Sequence, residues 1–239
     1  MKHLITVMIV ITLIIVSSAT GSASTPMSDC KDSDQVCKEF EQLTEAQLPE
    51  KIIARYEANR DAKYSEDSRR YIGQAYLTLA SRDGVSPEEE ERCYRKALEL
   101  NYAVAYMGLY FLHVQKDEEK ALGFLREYVK TEPADMVPYV LLGEAELNRK
   151  HYELAETYLR EAKKAAHAHS SRVDWLLFQT NYLLKNYQVA TEMFESAVAT
   201  GKFENELKAL VSDPRFEGIE KRPEFRKYQD MLKVAKAAK

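Results

Sequence analysis

At 239 residues, 45% hydrophobic and 30% charged, the chain has enough apolar material to fold as one domain or one repeat array, which excludes a wholly disordered protein. Eight glycines and seven prolines are few for an all-β fold, and abundant alanine, leucine, glutamate and lysine favour helix. The formal net charge of −4 argues against binding to a phosphate backbone.

The chain opens on a positive start, Met1-Lys2-His3, then an apolar run from Leu4 to Val16, then the small and polar stretch SSATGSAS. This order is that of a secretory signal over residues 1–23, with cleavage after Ala19 or Ala23. The apolar run is thirteen residues long, short of the roughly 20 a spanning helix needs. Left uncleaved, it serves as an N-terminal anchor. No cysteine directly follows the run, which excludes a bacterial lipoprotein signal. Export makes the cysteines readable. Cys30 and Cys37 stand close together near the mature N-terminus, and in an oxidising compartment a local disulfide is the favoured reading, two free thiols the other. Cys93 falls next to Tyr94 in a helical pattern and reads as a small buried residue. Two helical runs, VCKEFEQL and PEKIIARYEANR, are split at Pro49. They place an N-terminal cap within residues 24–66, of which 61–66 are polar and hinge-like. The acidic run Glu88 to Glu91 follows Pro87 at a helix start, where negative charge offsets the helix dipole.

From here the chain repeats itself. Ala121, Ala155 and Ala190 are separated by 34 and 35 residues; Leu125, Leu159 and Phe194 keep the same steps, and so do Tyr128, Ala162 and Ala197. A period of this length is that of a helical solenoid whose units are pairs of helices. Ala155, Leu159 and Ala162 fall on one helical face. Gly143 and Ala155 are read as small so that paired helices approach closely, with Tyr139, Leu142, Tyr152 and Leu159 filling the space around the crossing.

The spacing resembles the tetratricopeptide repeat family. In residues 136–169, Tyr139, Leu142, Gly143, Ala155, Leu159 and Ala162 match, while Glu146 stands for the family's tyrosine and His167 for its proline. In the next unit Trp175, Phe178, Tyr182, Ala190, Phe194 and Ala197 match, with Gln179 at the glycine position. Ala121, Leu125 and Pro133 match the preceding second helix, and its first helix aligns around either Gly108 or Leu109. The first unit offers Ile72, Gly73, Tyr76 and Ala97, in a region that also looks Sel1-like. The resemblance covers about residues 67–201 as about four units. It implies an all-α, right-handed α-α superhelix with capping helices at both ends, and a groove lined by the first helix of each pair. Aligning the units places Arg70, Gln74, Val140, Glu144, Asn148, Leu176 and Thr180 on that groove. Family members that hold a peptide carboxylate use Lys, Asn and Arg at such positions; Val140 and Glu144 do not supply that clamp.

Residues 202–239 close the chain. DPRFEGI is echoed nine residues later by RPEFRKY, so Pro214, Phe216 and Ile219 answer to Pro223, Phe225 and Tyr228. Each copy reads as a short helix that buries its phenylalanine, with Asp213 as N-cap. The tail KRPEFRKYQDMLKVAKAAK is basic and is a candidate contact for an anionic membrane surface or an acidic partner.

No catalytic motif with diagnostic spacing is present: no phosphate loop, HExxH or GxSxG. His167 and His169 are two residues apart and point to different sides of a helix, a poor metal pair. His113 and His151 read as solvated residues at helix ends or turns. The expectation is a non-catalytic scaffold or adaptor of the cell envelope, exported to a periplasm or secreted, that binds a protein or peptide in its groove without cofactor, metal or nucleic acid. The alternative is an accessory subunit of a secretion or envelope-assembly complex, held at the membrane by an uncleaved N-terminus and the basic tail.

Overall fold

The computed structural model describes residues 34–166, 170–199 and 204–237. The signal expected over residues 1–23, Cys30 and the His167/His169 pair lie outside them. Among the described residues every regular element is helical and none is a strand, and within each unit helices form packed neighbouring pairs. The chain divides into two compact units, Met1–Pro138 and Tyr139–Lys239.

In the first unit α1 (Gln35–Glu45), α2 (Pro49–Glu57), α3 (Glu66–Ala80), α4 (Pro87–Glu99), α5 (Ala105–His113) and α6 (Glu118–Thr131) follow in order. Their starts are written locally. Asp34, Ser65, Ser86 and Asp117 each accept the backbone N–H three residues on, which satisfies a donor the helix leaves orphaned. Pro49 and Pro87 stand in the first turn, where the missing N–H costs nothing. Both α1 and α2 pack on α3, α3 on α4, α4 on α5 and α5 on α6. The core gathers Cys37, Phe40 and Ile52 from α1 and α2 against Tyr71, Ile72 and Ala75 of α3, so the N-terminal helices cover the face that α3 turns towards them. Gly108 resolves the register of α5. A Cβ there would strike the Tyr94 ring on the preceding helix, whereas Gly143 meets the helix that follows it. Leu109, fully buried and 34 residues before Gly143, is therefore the equivalent position.

In the second unit α7 (Met136–Asn148), which starts at the boundary, is followed by α8 (Tyr152–Ala165), α9 (Ser171–Leu183), α10 (Tyr187–Val198) and α11 (Glu204–Ser212). Short 3-10 turns at Pro214–Phe216, Ile219–Lys221 and Pro223–Tyr228 then lead to α12 (Gln229–Ala237). Helix α9 packs on α8 and α10, and α12 packs on α11 and on the last two turns. The repeat positions keep their phase: Ala155, Leu159, Ala162, Ala190, Phe194 and Ala197 are all fully buried. The echoed C-terminal segments do bury Phe216 and Phe225, as 3-10 turns, into a core with Trp175, Phe178, Tyr182 and Phe194. Phe178 lies 5.0 Å from Phe194 between ring centroids, and Phe194 4.9 Å from Tyr228, in edge-on contacts that aromatic rings prefer. Arg222 lays its guanidinium 3.8 Å over the Tyr187 ring and donates to the Tyr182 hydroxyl at 3.1 Å, closing this end of the core with a cation.

The turns between α7 and α8 and between α9 and α10 are the same structure used twice. Lys150 and Lys185 take the left-handed conformation at φ 65° and 63°. His151 N–H donates to the Glu146 carbonyl and Asn186 N–H to the Asn181 carbonyl, the six-residue closure of a Schellman motif. A side chain in this conformation carries a steric cost of roughly 1–2 kcal/mol that glycine avoids. Lys185→Gly is accordingly expected to stabilise the protein by about 1 kcal/mol, read as a higher urea midpoint at an unchanged slope; a lower midpoint would show that the lysine contributes more than its conformation costs.

Candidate partner-binding faces

The equal turns correct the alignment of α9. Counted back from Lys150 and Lys185, or from Ala155 and Ala190, the offset between the two pairs is 35 residues. Gly143 therefore corresponds to Phe178 rather than to Gln179, and the turn after α9 has the same length as the one after α7. Burial follows this register: Leu142 and Leu177, Glu146 and Asn181, Leu147 and Tyr182 are buried in matching pairs. Where one pair uses Gly143 against Leu159, the next uses Phe178 against Phe194, because the C-terminal segments bring Phe216 and Phe225 onto the same ring.

The correction moves the exposed face of α9. Leu176 is 6% exposed and Thr180 is fully buried, its hydroxyl donating to the Leu176 carbonyl at 2.8 Å, so neither offers a partner a side chain. Val140 is buried as well. Glu144 is half-buried, Asn148 is exposed, and Gln179, the true counterpart of Glu144, is half-buried. In the first unit Arg70 and Gln74 are both partly exposed on α3. One residue that the sequence reading passed over joins the face of the second unit. Arg172 on α9 holds both carboxylate oxygens of Glu144 on α7, at 2.8 and 2.7 Å. Arg172 stands seven residues before Gln179, two helical turns along one face, which is the signal that the shifted register hid. One guanidinium nitrogen is shared between the two oxygens, and at this exposure the pair contributes little to stability. Asn148 follows Glu144 by one turn on α7, and Gln179 follows Arg172 by two turns on α9.

Other polar groups are committed to structure. Asp174, 1% exposed, accepts Lys163 Nζ at 2.7 Å on one oxygen and the Ser196 hydroxyl at 2.6 Å on the other, tying α9 to α8 and α10. Buried Glu146 meets His151 Nδ1 at 2.8 Å across the Schellman turn. His151 is exposed, as its place in a turn suggests. His113 is not: its ring packs on Phe124 at 5.7 Å and faces Glu91 at 3.2 Å, because α4 and α6 close over the end of α5. Glu88 to Glu91 do open α4, and arginines answer them from the same helix, Arg92 to Glu89 and Arg95 to Glu91. Cys93 is a free thiol, 2% exposed, which burial pushes above its ordinary pKa, the setting of an inert cysteine. Cys37 is fully buried in α1; its expected partner Cys30 lies outside the described residues. A cleft of about 610 Å³ in the first unit is lined by Asp34, Arg55, Asn59, Lys63 and Tyr64 among others. Two of its charges are engaged by the protein: Arg55 by Glu39 at 3.1 Å, and Asp34 by Ser65 and the Cys37 N–H, which hold its carboxyl below the usual range.

Among the described residues no group of three or more His, Cys, Asp or Glu side chains is placed to hold a metal, and no helix is long and apolar enough to cross a membrane. No known family model matches the chain, and no curated protein is significantly similar to it.

Proposed function

We propose that this protein is an exported, non-catalytic scaffold or adaptor. Its helix pairs continue one another as a right-handed superhelix of tetratricopeptide type, and the first helix of each pair presents a face to a partner segment. The observation that supports this reading most is the phase of the repeat. Alanine, leucine or phenylalanine, and alanine recur at 34- and 35-residue steps, and those of α8 and α10 are fully buried while the outward positions of α7 and α9 stay polar. A face that carries Glu144, Arg172, Asn148 and Gln179 suits an extended segment or an amphipathic helix with polar groups along its edge. It lacks the lysine-rich clamp that a terminal carboxylate requires. The signal over residues 1–23 directs the chain to an envelope or extracellular compartment, where Cys30 and Cys37 close a disulfide. N-terminal sequencing of the exported protein locates the cleavage.

The test is a crosslinking pull-down from the native envelope with wild type, with Glu144→Ala/Asn148→Ala and with Arg172→Ala/Gln179→Ala, at matched helicity. These side chains are partly or fully exposed, so folding is expected to survive within about 0.5 kcal/mol. One dominant partner recovered by wild type and lost from both variants is the expected result. Recovery of the same partner by all three forms moves the contact off this face.

A further inference from the structure

The tail from Lys221 to Lys239 carries seven positive and two negative side chains in a chain whose net charge is −4, so positive charge is gathered at one end of an otherwise acidic protein. The structure adds what the sequence count lacks. Tyr228, Leu232 and Ala235 hold the inner side of the last segment in the core. On the outer side Met231 and Val234 stand one turn apart, 41% and 69% exposed, two of the three large hydrophobic side chains left open among the described residues. By helical spacing Val234 shares the outer face with Asp230 one turn before it, with Met231 on the flank nearer the core and Lys233 on the other. Lys227 is bound by Glu195 and Lys236 by Glu220, yet both remain exposed at the rim; Lys221 and Arg226 are exposed in the preceding turns, with Glu224 and Asp230 as the opposing charges.

We propose that this outer face of α12 docks on an anionic lipid surface, with Val234 and Met231 entering the headgroup layer and the lysines and arginines meeting lipid phosphates. Charge complementarity selects an acidic surface, and the apolar pair selects lipid over an acidic polypeptide. Two aliphatic side chains on a helix surface are accommodated by a fluid interface without a shaped partner. An acidic peptide would match the cations and leave Met231 and Val234 in water. The proposal is independent of the faces on α7 and α9.

The chain has one tryptophan, Trp175, 7% exposed in the core, so Met231→Trp adds a reporter on the outer face. With the full-length variant, emission is expected to shift to the blue on phosphatidylglycerol–phosphatidylcholine vesicles. It is expected to stay in place on phosphatidylcholine alone and to return at high salt. Val234→Asp and Lys233→Glu, each added to Met231→Trp, are expected to weaken this response several-fold. The reporter sits on α12, so attachment through the apolar run of residues 4–16 does not by itself move it; wild type, with Trp175 alone, supplies the background. No shift on anionic vesicles, an equal shift on both vesicle types, or a shift indifferent to Val234→Asp would overturn the proposal. A response to soluble polyglutamate in place of vesicles would overturn it in favour of an acidic protein partner.

Discussion

Gly143→Ala is expected to destabilise the protein by about 1–2 kcal/mol, although alanine is the better helix former by about 1 kcal/mol. A Cβ at position 143 would stand 2.6 Å from Leu159 Cγ and 2.7 Å from its Cδ2, closer than carbon atoms pack, with the Ala155 carbonyl oxygen at 3.5 Å on the other side. Leu159 is fully buried and has no open space to swing into, so either its rotamer or the α7–α8 spacing must give. The diagnosis is in the pair. Leu159→Ala alone is expected to cost about 2–5 kcal/mol through lost burial and a cavity. In that background the clash is gone, and Gly143→Ala should turn from a loss into a gain of about 1 kcal/mol. Urea unfolding of the four proteins reads the cycle. A Gly143→Ala effect unchanged by Leu159→Ala would mean that the glycine is there for some reason other than this contact.

Lys163→Met is the second large effect, expected at about 1–3 kcal/mol. Asp174 is 1% exposed and depends on donors from two neighbouring helices, Lys163 Nζ on α8 and the Ser196 hydroxyl on α10. Removing the ammonium takes one charged donor from a buried carboxylate. Lys163 is 45% exposed, so water reaches the gap and holds the loss below that of a fully buried pair. Asp174→Leu with Lys163→Met removes both charges together. The double variant is expected to recover much of the loss, at the price of the Ser196 hydroxyl, which must find water instead. If Lys163→Met and the double variant are equally unstable, the ion pair is not what holds these helices, and the packing of Trp175 and Phe194 around it is.

The periodicity of small and large residues carried the helical class, the pairing of neighbours and the identity of the buried rows. Ala155, Leu159 and Ala162 had to face inward because three residues at those spacings share a side of any helix, whatever surrounds it. Caps were equally local: a serine or aspartate three residues before an N–H needs no distant partner. The register of α9 was not legible in this way. Phe178 occupies the place of Gly143, a substitution that makes sense only once Phe216 and Phe225 return from more than thirty residues later to pack on it. One residue of misalignment then put buried Thr180 in the place of Gln179 and left Arg172 unnoticed, while Leu176 was matched to Val140, itself buried.

His113 shows the same limit. Its position at a helix end suggested solvent, and Phe124 and Glu91, from two other helices, keep it largely covered. What the sequence by itself determined, then, was the helical class and the buried rows of α6, α8 and α10, because both follow from spacings within a few residues. The tertiary structure alone decided which of two neighbouring side chains is sealed, which carboxylate meets which cation and which apolar residues of α12 stay open. Those outcomes depend on which remote element arrives to cover a surface, and a local period carries no information about that.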